Sequence, residues 1–538
     1  RMIAGEGFSF LNLNRPSSGR ILWSPKESSR LWLYHLNYFD FVDVDLSSPK
    51  DRSHLARALE LMVDWCEQNV TGEEVGWEPY PLSMRIVNWL KFLARNAETA
   101  ESLGAGRVVT KLLGSLQSQV LTLESRLETD LRANHLLKNI KALIFAGALL
   151  DSPESSSWQR RGAALLAQEM EEQVLSDGGH FERSPMYHAQ ILEDLLDIQS
   201  LGAAQFPAPS CLRELPERIG QMAKFLFGIL HPDGEIPLFN DAAFGIASPA
   251  SDILTRVPAF ITDRRPEITL FRETGYAVIR DRRAGACLIF DCGPLGPNYQ
   301  LGHGHCDVLS YELSLHGARV VVDTGVSTYE RTPERHYQRS TAAHNTVRVD
   351  GEDQAEIWAS FRAGRRPQAG RVQAGIITGC RFVRAEHSGY RHRGVMHHRT
   401  IFQVPDSSWL VVDWLRGRGK HRIESFIHFH PGVLVEPCAG EAEPAGEEPE
   451  GGRWLIRFGS DSYYLLALGG GEMRLKETCY SPEFGLRQMR ASLHWSLETT
   501  VPCLMAYAFA PAATPRMTLR RSCDQRSIRI NQFSLPLE

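Results

Sequence analysis

Residues 271–293 read FRETGYAVIRDRRAGACLIFDCG. Two runs inside this stretch, 275–280 and 287–292, are rich in β-branched, aromatic and other apolar residues and are bounded by Gly and Asp. That is the composition of short strands between turns. Similar runs follow at 308–315, 319–324, 399–404, 409–414, 425–430, 454–458, 463–467 and 504–508. Many short strands at near-regular spacing predict an antiparallel sandwich. Upstream of about residue 265 the periodicity changes. In 54–67, Leu55, Ala58, Leu59, Met62 and Trp65 recur at the spacing of one helix face. The stretches 83–97, 108–127, 136–150, 162–175, 187–201 and 216–230 repeat that pattern. Their connections carry Gly, Pro, Ser or Asp, as helix stops and caps do. Helix after helix without strands predicts an all-α array, and no internal repeat marks a standard solenoid. The expected fold class is multidomain, α then β, with a helical domain over 1–265 and an antiparallel β-sandwich domain over 266–538.

The totals agree with two domains. A chain of 538 residues is too long for one ordinary core. Its net charge of −5 lacks the basic footprint of a bulk nucleic-acid binder, so no nucleic-acid partner is expected. An anionic ligand would have to be held by local basic groups. The ten cysteines show no CxxC and no regular spacing, and are expected to be mostly free thiols. No apolar run reaches transmembrane length. Residues 439–452, AGEAEPAGEEPEGG, read as a solvated hairpin loop.

Four clusters could carry chemistry. In GHGHCD (302–307), His303 and His305 are separated by one small residue and point to the same side of an extended segment. With Asp323 and His344 downstream, two histidines and an aspartate could form a zinc-type site, or could be ordinary polar residues at strand ends. In RANH (132–135), Asn134 either caps the apolar helix that follows or serves a ligand. In DGGHFERSPMYH (177–188), turn residues precede a helix whose first turn holds Tyr187 and His188, as packing residues or as a catalyst and its neighbour. In WEPYPLSMR (77–85), Trp77 and Tyr80 suit sugar-ring stacking and Arg85 suits a carboxylate or sulfate. The alternative there is a buried aromatic hub. His397, His398, His428 and His430 read as structural or rim residues, and the HPDGE turn at 231–235 carries no assigned chemistry.

Taken in order, WEPYPLSMRIVNW (77–89), RANHLLKN (132–139), DGGHFERSPMYH (177–188), GHGHCD (302–307), VVVDTG (320–325) and AHNTV (343–347) resemble the heparinase II/III superfamily of polysaccharide lyases. FSFLN (8–12) and LWLYHLNYFDF (31–41) are similar to variants that accompany bacterial polysaccharide gene clusters. The resemblance implies an incomplete (α/α) toroid followed by antiparallel β-sheets, with sites in the cleft between them. It implies β-elimination on a uronic-acid glycan, in which the C5 proton is removed and the 4-O leaving group is protonated. Asn134 then matches the carboxylate-binding position, and His135 a base position in some relatives. Tyr187 matches the acid, which also serves as base for some epimers, and His303 a neutralising or base histidine. Tyr329 resembles a second active-site tyrosine, and Arg85, Arg335 and Arg339 are expected anion binders, with His188 beside them among the substrate-binding residues. One structural divalent metal, zinc by its ligands, is implied at His305, Asp323 and His344. Cys306 departs from the small residue that many relatives carry there. The expected partner is an anionic polysaccharide, a bacterial exopolysaccharide or a glycosaminoglycan; the chemistry points to the periplasm or outside the cell, while free thiols lean to the cytoplasm as the alternative. Two other readings are a non-catalytic glycan-binding or biosynthesis-accessory protein, and a glycoside hydrolase using Glu182, Asp177 or Glu78.

Overall fold

The structure, a computed structural model, describes residues 2–3, 7–16, 21–42, 51–70, 72–202, 212–258, 260, 265–438, 452–513, 518–521 and 527–536. It divides into two compact units, Arg1–Val174 with Gln190–Gly220, and Leu175–Ala189 with Gln221–Glu538. The division is not a single cut at residue 265. Residues 175–189 and everything from 221 onward go with the sheets, because loops there are tied into them: Leu238 N–H donates to Glu312 at 2.7 Å and His231 bonds Ser314 at 2.8 Å. The acidic loop at 439–452 lies outside the described residues up to 451, as do Cys211 and Cys523. The eight described cysteines are free thiols.

The first unit is helical, with one feature the helical periodicity did not foresee. Strands Met2–Ile3, Gly7–Phe10 and Leu13–Pro16 form an antiparallel meander. Alternation explains it: Phe8 and Phe10 fall on one face and pack against Trp23, Trp32 and Phe41. The main helices are Arg30–Tyr38, Asp51–Gln68, Pro79–Ser102, Gly106–Glu124, Ala133–Leu149 and Ser155–Gln173. Pro79 opens its helix, where a missing N–H costs nothing. Helix Ala133–Leu149 is buried from Ala133 to Gly147 on nearly every side, save His135, as a helix at the centre of an array must be. Gly162 lets helix Ser155–Gln173 approach it closely, since a Cβ there would meet Ile144 at 2.7 Å. Lys138 and Lys141, turned into this interior, are neutralised by Asp194 and Asp197.

The second unit is built from antiparallel sheets. Strands Ile268–Phe271, Tyr276–Asp281, Ala286–Asp291, Tyr311–Leu315 and Ala318–Val321 form a five-stranded meander. An eight-stranded sheet runs in the order Gln373–Ile377, Cys380–His387, Val395–Gln403, Trp409–Gly417, Cys503–Pro511, Asp461–Leu468, Arg453–Phe458, Leu434–Pro437. A four-stranded sheet joins Glu472–Tyr480, Gln488–Thr500, Lys420–His428 and Val347–Val349. One apolar core connects all three, with Leu288, Tyr311, Val347, Ile401, Ile427 and Trp495 among its members.

A buried ion pair sits in that core. Arg399 Nε and Nη2 grip the two Asp413 oxygens at 2.7 and 2.8 Å, and His397 Nε2 joins at 2.7 Å. The same guanidinium donates to the carbonyls of Leu309 and Asn345, so it also fixes loops that carry polar residues described below. Burial alone would raise the Asp413 carboxyl, but Arg399 and His397 outweigh it and bring it down to about 2. A depressed carboxyl stabilises the fold above its unfolded value of about 4 and loses that contribution as pH falls through the folded value. Asp413→Asn should therefore cost about 3–5 kcal/mol at neutral pH, because Arg399 is left buried and unpaired. In chemical-denaturation series, its deficit against the unsubstituted protein should narrow between about pH 4 and about pH 2. A deficit that stays constant over that range would remove the pair as its cause.

Candidate active site

Tyr187 enters from the helix Pro185–Ser200. Its placement is local chemistry. Arg183 takes a left-handed backbone (φ 58°), and Ser184 Oγ donates to the Asp241 carbonyl at 2.5 Å while accepting the Tyr187 N–H at 3.2 Å. Pro185 then starts the helix. The Tyr187 hydroxyl lies 3.0 Å from the Tyr329 hydroxyl, and its ring centroid is 4.1 Å from that of His303. Phe361, which is exposed, closes the group 5.2 Å from Tyr329 and 6.1 Å from His303.

His303 sits on a loop that only a small residue can turn. A Cβ on Gly304 would meet the Leu295 carbonyl at 2.4 Å, so the residue between the two histidines must be glycine. Arg339 is fully buried beneath the loop and donates to the carbonyls of Gly304 (2.8 and 3.1 Å) and Leu301 (3.2 Å). It is a loop fastener, which corrects its expected role as an anion binder.

The hub is a residue the motifs did not contain. Asp241 takes His303 Nδ1 at 2.9 Å, His305 Nε2 at 2.8 Å and Arg335 Nη2 at 2.8 Å, with Arg335 Nη1 as a further partner. Burial alone would raise this carboxyl, but Arg335 and the two histidines hold it well below the usual carboxylate range. Arg335, only 1% exposed, is thereby spent on Asp241 and the Ser360 carbonyl, with its guanidinium 5.0 Å from the Tyr329 ring. It positions the site and is not a surface anion binder. Asn240 prepares the hub: its backbone is left-handed (φ 57°), and its amide oxygen accepts the His305 N–H at 2.9 Å. Glu182, also buried, has a carboxylate oxygen 3.6 Å from His303 Nε2.

Behind this group His305, Asp307 and His344 bring one donor atom each within 4.8 Å of one another, all buried. Two ring nitrogens there, His305 Nδ1 and His344 Nε2, have no hydrogen-bond partner among the described residues. The other nitrogen of each ring is held by a carboxylate, Asp241 for His305 and Asp323 for His344 (2.8 Å each). Burial pushes the His305 imidazole down to about 3, which keeps it in the neutral form that binds metals. Burial lowers the His344 imidazole, but Asp323 outweighs it and raises that ring above its ordinary value, so His344 gives up a proton when it ligates. Two imidazoles and a carboxylate, each ring steered by an outer carboxylate, fit a divalent metal of the zinc type. The donor set differs in one member from that expected on the motifs. Asp307 stands with the two histidines, and Asp323 orients His344 from outside. Burial, with Asp323 adding to it, raises the Asp307 carboxyl, as expected where a cation belongs.

The first unit holds the remaining expected residues. Asn134 is buried in the first turn of helix Ala133–Leu149, but Arg132 occupies the cap position and makes no side-chain cap. Arg132 and Ala133 both have positive φ (56° and 52°), which costs non-glycine residues energy and gathers at functional positions. His135 Nδ1 bonds Glu128 at 2.9 Å, and its ring lies 4.6 Å from that of Tyr80. Trp77 donates its indole N–H to the Asn69 carbonyl at 3.0 Å and packs on Trp65. Arg85 is fully buried, 3.8 Å over the Trp65 ring, and donates to Gln119 (2.9 Å) and the Gly76 carbonyl (2.7 Å). It belongs to the buried aromatic hub, which corrects its expected contact with substrate. His188, in the second unit, is likewise structural: it is 1% exposed, bonds the Met222 carbonyl at 3.0 Å and packs on Phe225.

The carboxylates of the hydrolase reading are mostly engaged elsewhere. Asp177 accepts from the Glu273 and Thr274 amides and the Thr274 hydroxyl, and Glu78 pairs with Arg30 and Tyr34. Only Glu182 stands beside the tyrosine–histidine group.

Two family models match the chain: the heparinase II/III N-terminus over residues 49–260 and the heparinase II/III-like C-terminal model over 263–514. A heparin-sulfate lyase of Bacteroides stercoris is 26% identical over 339 residues, 56% of this chain and 47% of that protein. The chain thus spans about half the length of that curated relative. FtsZ-localized protein C of Caulobacter vibrioides is 25% identical over 439 residues, 75% of this chain and 70% of that protein. A crystal structure of heparinase III superposes with a TM-score of 0.75 at 18% identity, covering 98% of this chain and 86% of that one. That likeness shows the fold, a helical toroid followed by an antiparallel β-sandwich: the helices-then-strands order follows the two periodicities, and the toroid is what the family resemblance implies.

Proposed function

The chain belongs to the heparinase II/III superfamily, and on that premise we propose that it is a polysaccharide lyase cleaving a uronic-acid glycan by β-elimination. The observation that carries the reading is the approach of Tyr187 to both Tyr329 and His303, with His303 anchored on Asp241. The reaction needs a base for the C5 proton and an acid for the 4-O oxygen. Anchoring Nδ1 on Asp241 fixes the imidazole ring, so Nε2 is the atom that takes the C5 proton. The electron pair of the C5–H bond forms the C4–C5 double bond as the C4–O bond breaks, and the Tyr187 hydroxyl gives its proton to the departing oxygen. Tyr329, hydrogen-bonded to that phenol, supports its oxygen as charge develops. For Asn134 and His135 the proposed roles are those of the resemblance, donor to the uronate carboxylate and alternative base.

The test is ultraviolet absorbance of the unsaturated uronate during incubation with heparan sulfate, alginate, hyaluronan and bacterial exopolysaccharides. A rise with one of them supports a lyase and names its substrate class. New reducing ends without that absorbance would mean hydrolysis and overturn the reading. An acting site in the periplasm or outside the cell is part of this proposal.

A divalent metal, zinc by its donors, is proposed at His305, Asp307 and His344. When bound, it would neutralise the buried carboxylates and hold the loop of His303 in place. His305→Ala should lose stoichiometric metal by elemental analysis and lower the melting temperature by several degrees. Purified protein without metal, unaffected by chelators, would refute the site.

A further inference from the structure

The outer face of the eight-stranded sheet carries a groove that none of this chemistry uses. Register places it. Arg384 lies opposite Thr400 and Thr400 opposite Val412, while in the next row of the same face Glu386 meets His398 and His398 meets Trp414. Side chains alternate across the pleat, so their neighbours His397, Arg399 and Asp413 point inward and are fully buried. Further along, this face is apolar: Phe402, Val404 and Leu410 pack with strands Leu519–Arg521 and Ser527–Ile530. Past that cover it turns basic. Arg371, Arg384 and Arg416 border a cavity of about 240 Å³ together with Trp414, His398 and Glu386. The Arg416 guanidinium lies 3.9 Å from the Trp414 ring centroid and that of Arg384 4.9 Å from Phe382, contacts that hold the side chains over flat rings. Arg384 Nε is buried with no hydrogen-bond partner among the described residues. The one acid of the groove, Glu386, is paired with His398 at 2.7 Å.

The basic surface continues along the same ribbon. Gln368 and Ser388, joined by hydrogen bonds of 3.0 and 3.1 Å, border a second cavity of about 210 Å³ that carries Arg365, Arg366 and Arg391. The two linings together hold six arginines and one carboxylate, a concentration of positive charge on a chain whose net charge is −5.

We propose that this ribbon is a second glycan-binding site, which holds a stretch of an anionic polysaccharide away from the reacting atoms. Guanidiniums bind carboxylate or sulfate groups two bonds at a time, and the Trp414–Arg416 stack presents a flat face to a sugar ring. The proposal rests on the substrate being a polyanion, as the lyase reading holds.

The experiment uses the full chain carrying Tyr187→Phe, so that glycan is bound without being cut. Long heparan sulfate and long alginate are the probes. Adding Arg371→Gln, Arg384→Gln and Arg416→Gln should weaken binding of the preferred polymer at least tenfold. The slope of log affinity against log salt should fall by about 2–3, near one released counterion per lost charge. In the catalytic chain the same three changes should raise KM for the polymer and leave kcat/KM on a tetrasaccharide within about twofold. Unchanged polymer binding, or a chain that binds neither polymer, overturns the proposal. So does equal loss on the tetrasaccharide, or equally tight binding of double-stranded DNA. If the triple variant melts early, Trp414→Ala alone decides by the same polymer-against-tetrasaccharide comparison. Arginine-dependent binding without any unsaturated product would sink the lyase reading and leave the groove standing; cleavage with arginine-independent binding would do the reverse.

Discussion

Tyr187→Phe is expected to reduce turnover by about two to four orders of magnitude, the usual contribution of a positioned general acid, while leaving the fold intact. The substitution removes a single oxygen. The Tyr187 hydroxyl bonds the Tyr329 hydroxyl at 3.0 Å, and the ring keeps its contact with His303 at 4.1 Å. Losing one such hydrogen bond costs about 0.5–1.5 kcal/mol of stability, too little to unfold a domain. The loss should fall on kcat with KM little changed, because the proton is delivered only as the glycosidic bond breaks. Substrates with better leaving groups should suffer less from the substitution, since they need less protonation. Near-normal turnover would take Tyr187 out of the mechanism. A loss confined to KM would make it a binding residue.

The reach and the limits of the sequence have separate physical causes. Helix and strand periodicities are long-range signals summed over many residues, so the α-then-β order and most elements were legible; the residues at 187–201 form the helix Pro185–Ser200 as expected. The N-terminal meander was missed because its strands are 2 to 4 residues long, too short for alternation to stand out. For the site, contiguous motifs pointed to Tyr187, His303, His305 and His344, which the fold gathers in one unit. What they could not convey is which way a long side chain turns. Arg85, Arg335 and Arg339 have the chemistry of anion binders, yet each is buried and spent on protein acceptors. Asp241 was missed because it acts through contacts 62 to 94 residues away in sequence. A local signal was available: the Asn240–Asp241 pair interrupts an otherwise apolar run, and Leu238, Phe239, Ala242 and Ala243 around it are all buried. A charged residue inside a buried run needs a strong reason to be there.

That reason makes Asp241→Asn the second large expected effect. The substituted amide has nearly the same shape but carries no charge, and it presents an NH2 to neighbours that are themselves donors. Arg335, 1% exposed, would face it as an uncompensated buried cation. Breaking a buried pair from one side costs about 3–5 kcal/mol. Turnover should fall at least as far, because the His303 ring loses the acceptor at 2.9 Å that sets its tautomer and orientation. The two losses can be separated by a second change. Adding Arg335→Met to Asp241→Asn removes the stranded cation, so a substantial part of the stability should return, and the double-mutant cycle gives a coupling energy well above zero. Turnover should not return with it, since His303 still has no carboxylate on Nδ1. If stability and activity recover together, Asp241 serves only to neutralise Arg335. If neither recovers, the hub works through the whole set of four groups, and the pair of Asp241 with Arg335 is not its core. Recovery of stability alone is the result the geometry demands, because Arg335 and His303 draw different things from Asp241: the arginine needs its charge, and the histidine needs its direction.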